Sequence, residues 1–322
     1  MAKFFRNGKL IEWDSENPTI TCLMSVYNGE TYLKEAIDSI LDQSYSNFEY
    51  LIINDCSTDN SVSILKSYDD PRIRLIHNDV NLGLTKSLNK GLSMAKGKYI
   101  ARMDADDWSF QDRFKFQLDF HESKKEAYFS FDTNDNDIVK SLNKIDQSYI
   151  NDYLRLRLLF GNYINHSSAF FLKSSIHYDI SYKRTQDYKL WIEFVNYYKF
   201  HCHFEKLVEI RIHSKSISSQ NKKEQQFAAN LAQENYFYSL FGIQFDRFVI
   251  NRLMNKQDRF NSNDLVIYYN LFIEMKQILM KKSEFQRKSI QLLFNTKWNE
   301  ITKSAKYENI FVKFRFNKMV KF

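Results

Sequence analysis

Apolar and polar positions in the first hundred residues alternate between two periods, one of strands and one of helices. Residues 19–26, TITCLMSV, are apolar and rich in β-branched side chains, the pattern of a strand buried on both faces. The loop YNG follows, and from Glu30 to Gln43 the pairs Tyr32/Leu33, Ala36/Ile37 and Ile40/Leu41 recur at helical spacing to give one apolar stripe. The unit then repeats. FEYLIIN (48–54) predicts a second strand, DCSTDN a turn with capping residues, and Val62, Ile64, Leu65 and Tyr68 a short helix. IRLIH (73–77) predicts a third strand, NDVNLG a loop, and Leu84, Leu88, Leu92 and Ala95 a helix that Gly97 ends as its C-terminal cap. KYIARM (98–103) is the fourth strand, and DADD follows it.

Strands alternating with helices imply an α/β fold around a mostly parallel sheet with right-handed crossovers. Such sheets bind ligands beyond the carboxyl ends of their strands. YNG, NDCSTD, NDVNLG and DADD all fall at such ends, so they can face one crevice. Residues 119–150 have neither clear period nor turn grammar and read as irregular. Beyond them YLRLRLLF predicts a helix, SSAFFL a strand and DYKLWIEFVNYY a helix. After Gln220 the pattern is one of amphipathic helices over 222–240, 245–256, 264–281 (capped by Ser262 or Asn263) and 284–304. The expected division is an N-terminal extension (1–18), a ligand-binding half (19–118), a second half of the same domain (119–220) and a C-terminal helical region (221–322).

Length and composition add bounds. The 322 residues, 43% hydrophobic and 16% aromatic, suffice for a folded chain with a sizeable core. Cys22, Cys56 and Cys202 form no CxxC pair and read as small buried hydrophobes in a reducing compartment. The N-terminal stretch lacks the apolar core of a signal peptide and no long apolar run exists, so a cytoplasmic location is expected. The net charge of +7 suits nucleic acid, an anionic membrane or an acidic ligand alike.

The candidate chemistry starts at DADD. Two carboxylates one residue apart at a strand end can converge on a divalent cation, which offsets their repulsion and leaves positions for phosphate oxygens. The same residues also suit a solvated acidic turn or helix cap. The strings SVYNGETYLKEAIDSILDQSYSNFEYLIINDCSTDNS and PRIRLIHNDVNLGLTKSLNKGLSMAKGKYIARMDADD decide the context. Together they resemble glycosyltransferase family 2, inverting enzymes of the GT-A fold that build bacterial surface glycans. The resemblance is close over residues 19–118, with weaker echoes to about 220.

The resemblance implies roles for particular residues. Tyr27 would stack on the nucleotide base and Asp55 would accept a hydrogen bond from it, typically uracil. Asp104 would contact the ribose, Asp106 would hold Mn²⁺ or Mg²⁺ against the diphosphate, and Arg102 would pair with these carboxylates or form a structural salt bridge. Asp107 is left as a helix cap or supporting group. TQDYKLW places Asp187 as the base that takes the acceptor's proton, with Gln186 where members often carry Glu; a first-turn carboxylate is the plain alternative for Asp187. RIHSKSIS resembles the closing segment, where His213 would ligate the metal or meet the diphosphate and Arg211 would help hold it. NHSSAFF echoes an acceptor-side segment without its proline, which makes His166 a candidate acceptor contact. Gln111 stands where proline is common, and Arg113 reads as structural.

From Lys297 onward, basic residues mix with Trp298, Phe311, Phe314, Phe316 and Phe322, a composition suited to the surface of an anionic membrane or to a basic helix packed on the domain. Nucleic acid is disfavoured, because the upstream chemistry calls for a nucleotide sugar. The expectation is therefore a metal-dependent inverting glycosyltransferase, cytoplasmic or peripheral at the inner face of the membrane. It would move one sugar from a nucleotide sugar, typically a UDP-sugar, to a hydroxyl of a surface glycan, including lipid-linked ones. The departures at Gln186, Gln111 and the missing proline keep a non-catalytic nucleotide-binding scaffold as the alternative. A nucleotidyltransferase is disfavoured because YNGE, not a basic Gly-rich loop, follows the first strand.

Overall fold

The computed structural model describes residues 2–143, 145–175, 177–213, 222–242 and 262–304. In chain order the strands are β1 (Ala2–Arg6), β2 (Lys9–Trp13), β3 (Ile20–Val26), β4 (Phe48–Asn54), β5 (Ile73–His77), β6 (Tyr99–Asp104), β7 (Trp108–Ser109), β8 (Tyr128–Phe131), β9 (Phe170–Leu172), β10 (Lys199–Cys202) and β11 (Val208–Glu209). The helices are α1 (Leu33–Leu41), α2 (Ser61–Lys66), α3 (Leu84–Met94), α4 (Arg113–Glu122), α5 (Asn136–Leu142), α6 (Gln147–Arg157), α7 (Gln186–Phe194), α8 (Lys222–Phe241), α9 (Ser262–Lys281) and α10 (Arg287–Ser304). They pack as two compact units, Met1–Asn136 with Tyr163–Gln225, and Asp137–Asn162 with Gln226–Phe322. Residues 137–162, grouped with the sheet in the contiguous division, thus pack with the later helices.

The first unit is the expected α/β layer structure. Its seven-stranded sheet runs β10-β8-β9-β6-β3-β4-β5, with β9 antiparallel to its neighbours β6 and β8 and the other pairs parallel. All of β3 is buried because both faces are covered. Ile20, Cys22, Met24 and Val26 share one core with Leu33, Ala36, Ile37 and Ile40 of α1 and Phe114 and Leu118 of α4. The opposite face meets α3, where Gly91 leaves room for Leu23.

Gly97 has a different role from the expected cap. The α3 helix ends at Met94 with Ala95 as its cap, and a Cβ on Gly97 would lie 2.3 Å from the Thr21 backbone nitrogen. The residue lets β6 start directly against β3. The N-terminal extension is a hairpin, β1 on β2, docked through Arg72, whose guanidinium lies 5.4 Å from the Phe4 ring and 4.4 Å from the Phe48 ring.

The stretch read as irregular, 119–150, contains β8, α5 and the start of α6. Phe129, Ser130 and Phe131 of β8 are all buried, which removes any alternation. The apolar positions Ile138, Leu142, Ile150 and Leu154 are split over two short helices, so no single period emerges.

The second unit is helical. Tyr153 and Leu156 of α6, Leu265, Phe272 and Met275 of α9, and Ile290, Phe294 and Trp298 of α10 are buried, with the Phe272 and Phe294 ring centroids 5.2 Å apart. The predicted helices 222–240, 264–281 and 284–304 correspond to α8, α9 and α10, while 245–256 lies outside the described residues. Lys297 and Trp298, counted in the basic tail, are buried here, and Lys297 Nζ donates to Glu300 Oε2 at 2.9 Å. Residues 305–322 of that tail lie outside the described residues. Among the described residues no helix is long and apolar enough to cross a membrane.

Three histidines pack around Phe120 in the first unit. His201 stacks on it with centroids 3.8 Å apart, and His121 and His203 approach its edge at 5.6 and 5.5 Å. Burial lowers His121 and His201 to about 3 and His203 to about 4. Glu205, Asp132 and Glu122 pull upward and Lys98 and Lys124 downward, each less than burial.

Two outcomes are expected. Gly97→Ala should cost about 1–3 kcal/mol by overpacking against backbone, read by denaturant unfolding. The histidines are neutral when folded and protonate below about 6.5 when unfolded, so the unfolded chain binds more protons and stability falls as pH drops from about 6.5 towards 4. His203→Phe, which keeps a ring in the same place, should make the fall in Tm over that range shallower.

Candidate active site

The carboxyl ends of β3, β4 and β6 are followed by loops fastened to one another. After β3, Asn28 takes a left-handed φ of 51° and its Oδ1 accepts the Thr58 backbone N–H at 2.8 Å. Gly29 N donates to Ser61 Oγ at 2.9 Å, and Glu30 N donates to Asp59 Oδ2 at 3.0 Å. Tyr27 precedes this latch with 52% of its surface exposed, available to stack. Cys56, expected to be buried, is half-exposed on a left-handed turn with φ 60°, and its Sγ lies 3.6 Å from the Asp79 carbonyl.

Asp55, one residue past β4, is buried. Its Oδ1 accepts from Asn78 Nδ2 and from Leu82 N, both at 2.8 Å, and its Oδ2 accepts from Gly83 N at 2.8 Å. A carboxylate offers about four acceptor directions. Asp55 therefore holds the loop NDVNLG against β4 and keeps one direction for a further donor.

The carboxylates that end β6 are held by groups from distant segments. Asp104 Oδ1 lies 2.5 Å from the guanidinium of Arg102, and its Oδ2 accepts from Ser167 Oγ at 2.9 Å. Ser167 Oγ is also within hydrogen-bond reach of Asp107 Oδ2, so the two carboxylates share its single proton, and it accepts the Asp104 backbone N–H at 3.1 Å. Arg102 is only 1% exposed, so it supports Asp104 from behind and meets a ligand only through it. Asp107 caps no helix, since α4 starts at Arg113. It supports the closing segment instead, accepting the Arg211 backbone N–H at 3.0 Å. Arg113 is structural as expected, buried and donating to the Arg102 carbonyl at 2.9 Å.

His213 reaches the same place. Its Nε2 is 3.0 Å from Asp106 Oδ2, and its ring lies 4.9 Å from the ring of Tyr32, over which the Arg211 guanidinium sits at 5.0 Å. The electrostatics leave negative charge unbalanced. Burial raises Asp104, but Arg102, His166 and Ser167 outweigh it and hold the carboxyl below its ordinary value. Burial and the Asp104 charge raise Asp106 and push Asp107 up to about 7. Among the described residues no group of three or more His, Cys, Asp or Glu gathers tightly enough to enclose a metal. Asp106 with His213 fits a cation that draws its remaining ligands from diphosphate and water, and a carboxylate–imidazole pair suits Mn²⁺ better than Mg²⁺.

The residues expected on the acceptor side lie on the same unit. Asp187 is in the first turn of α7 and half-buried. Its charge acts on Tyr178, whose hydroxyl is 2.8 Å from His166 Nε2. Burial, then Arg102, lowers His166 to about 3, so its imidazole is neutral near pH 7 and serves as a hydrogen-bonding group. Gln186 is 5% exposed, and its Oε1, Thr185 Oγ1 and Trp191 Nε1 are buried with no hydrogen-bond partner among the described residues. Asn89 of α3 clamps Tyr178 by exchanging two 2.8 Å hydrogen bonds with its backbone.

Residues 21–180 match the model of "Glycosyl transferase family 2". An "Uncharacterized glycosyltransferase" of Haemophilus influenzae is 32% identical over 253 residues, covering 73% of this chain and 78% of that protein. The chain belongs to glycosyl transferase family 2. A Methanocaldococcus jannaschii glycosyltransferase, MJ1057, is 33% identical over 216 residues, 62% of this transferase and 72% of that protein. In fold, the transferase resembles S. aureus TarS 1-349 solved in complex with UDP-GlcNAc, with a TM-score of 0.53 at 13% identity over 94% of this chain and 92% of the other. It likewise resembles the Pyrobaculum calidifontis mannosyltransferase PcManGT, solved with GDP-Man and Mn²⁺, with a TM-score of 0.53 at 11% identity over 90% and 88% of the two chains.

Ser167, Tyr178, Tyr32 and Asn89 were not singled out from the sequence. Ser167 sits in the NHSSAFF string already noted, so its signal was present; the other three belong to the site through packing alone.

In this transferase, Mn²⁺ should raise Tm in the presence of nucleoside diphosphate, and Asp106→Ala should abolish that rise, measured by thermal unfolding across a Mn²⁺ titration.

Proposed function

We propose that this transferase moves one sugar, with inversion, from a UDP-sugar to a hydroxyl of a surface-glycan acceptor. In this reading Asp187 is the base, and Asp106 with His213 is the seat of Mn²⁺ or Mg²⁺. The observation that carries it is the 3.0 Å approach of His213 to Asp106 at the end of β6, on the unit that also holds Asp187 on the acceptor side. The solved neighbours bound to UDP-GlcNAc or to GDP-Man with Mn²⁺ support a nucleotide-sugar donor.

In this reading Tyr27 stacks on the base and Asp55 turns its remaining acceptor direction to the base N–H. Asp104, kept ionised by Arg102 and Ser167, accepts from the ribose hydroxyls. A divalent cation, when bound, stabilises the charge of the departing diphosphate. Asp187 takes the proton from the acceptor hydroxyl as its oxygen attacks the anomeric carbon from the face opposite the diphosphate. His166, Tyr178 and Gln186 orient the acceptor. The basic residues interleaved with Phe311, Phe314, Phe316 and Phe322 support peripheral contact with an anionic membrane carrying a lipid-linked acceptor.

Asp187→Asn should lower kcat by about 10²–10⁴-fold, the usual contribution of a positioned base, while UDP-sugar and Mn²⁺ together still raise Tm. Turnover at the wild-type rate would remove Asp187 from the mechanism.

A further inference from the structure

A groove of about 470 Å³ runs along the flank of α1, lined by Glu35, Asp38, Asp42, Trp108 and Gln111. Its volume falls in the range of sites for small ligands, about 300–1,000 Å³. From Glu35 to Asp42 it extends about 10 Å along the helix axis, the length of a disaccharide.

Its lining joins two features. The first is a held aromatic. Trp108 is 44% exposed yet fixed, paired through β7 to Glu209 of β11 and stacked on Phe110 with centroids 5.8 Å apart and planes at 29°. The second is a row of carboxylates, each paired with a basic side chain. Glu35 pairs with Arg211, Asp38 with Lys34 Nζ at 2.7 Å, and Asp42 with Arg6 Nε at 3.3 Å. Each keeps lone pairs for further donors. A pyranose presents an apolar C–H face and a rim of hydroxyl donors, which suit an indole face and a line of acceptors respectively. A uronate or phosphate oxygen only accepts hydrogen bonds, so it finds no donor in this row of carboxylate acceptors.

The groove is also linked to the carboxylates that follow β6. Arg211, whose guanidinium holds Glu35, donates its backbone N–H to Asp107 at 3.0 Å.

We propose that this groove binds uncharged pyranose units of the acceptor glycan, those behind the sugar that receives the transfer. The proposal rests on the acceptor reading given above. Saturation-transfer NMR on the full chain should detect binding of neutral di- to tetrasaccharides built from hexoses and N-acetylhexosamines, and no binding of oligogalacturonates. Trp108→Ala should weaken that binding at least about 10-fold, and Gln111→Trp, which fills the groove from an exposed position, should do the same if Trp108→Ala misfolds. Absence of neutral-saccharide binding to the wild type, equal binding of oligogalacturonates, or binding untouched by both variants would overturn the proposal. Thermal protection by UDP-sugar with Mn²⁺, measured on the same samples, should be the same in wild type and variants. Its absence in the wild type would sink the donor reading and leave the groove result standing.

Discussion

Mutual repulsion among Asp104, Asp106 and Asp107 at the end of one buried strand is the constraint around which the rest of the site is arranged. Burial, and then the charge of Asp104 beside it, push Asp107 up to about 7. The fold answers with groups from three segments: Arg102 from within β6, Ser167 from the turn before β9, and Arg211 and His213 from the closing segment. Burial and the charge of Asp104 still raise Asp106, whose Oδ2 meets His213 Nε2 at 3.0 Å.

The support reaches outward from there. The Ser167 hydroxyl bridges Asp104 and Asp107, tying the end of β6 to the carboxylate that anchors the closing segment. Arg211 then links that segment to Glu35 on α1, and Tyr32 packs under both Arg211 and His213. Asp55 has a comparable role at the end of β4, where most of its hydrogen-bonding capacity is committed to the loop 78–83. These are residues for which a neutral replacement would lose position as well as charge.

The four strands and helices from Ile20 to Asp104 were legible because each apolar run is bounded by loop residues and each helix carries one stripe. Residues 119–150 were not, because a four-residue strand and two short helices are too brief for a period to register. Gly97 was misassigned for a related reason: a glycine needed for close backbone approach looks in sequence like a glycine needed for a left-handed cap. Lys297 and Trp298 suited either a membrane surface or a basic helix packed on the domain, because composition does not reveal burial, and both are buried in the helical unit.

By itself the sequence determined the α/β layers, the loop-bearing edge and the family, since these follow from patterns within a few residues of one another and from motifs in order. Only the tertiary structure decided how those motifs act. His213 meets Asp106 across 107 residues of chain, Arg211 meets Glu35 across 176, and no local pattern encodes either contact. The physical reason is that local pattern selects elements through steric and hydrophobic preferences of neighbouring residues, whereas a site is a sum of charges and hydrogen bonds that exists only once packing has fixed the distances between them.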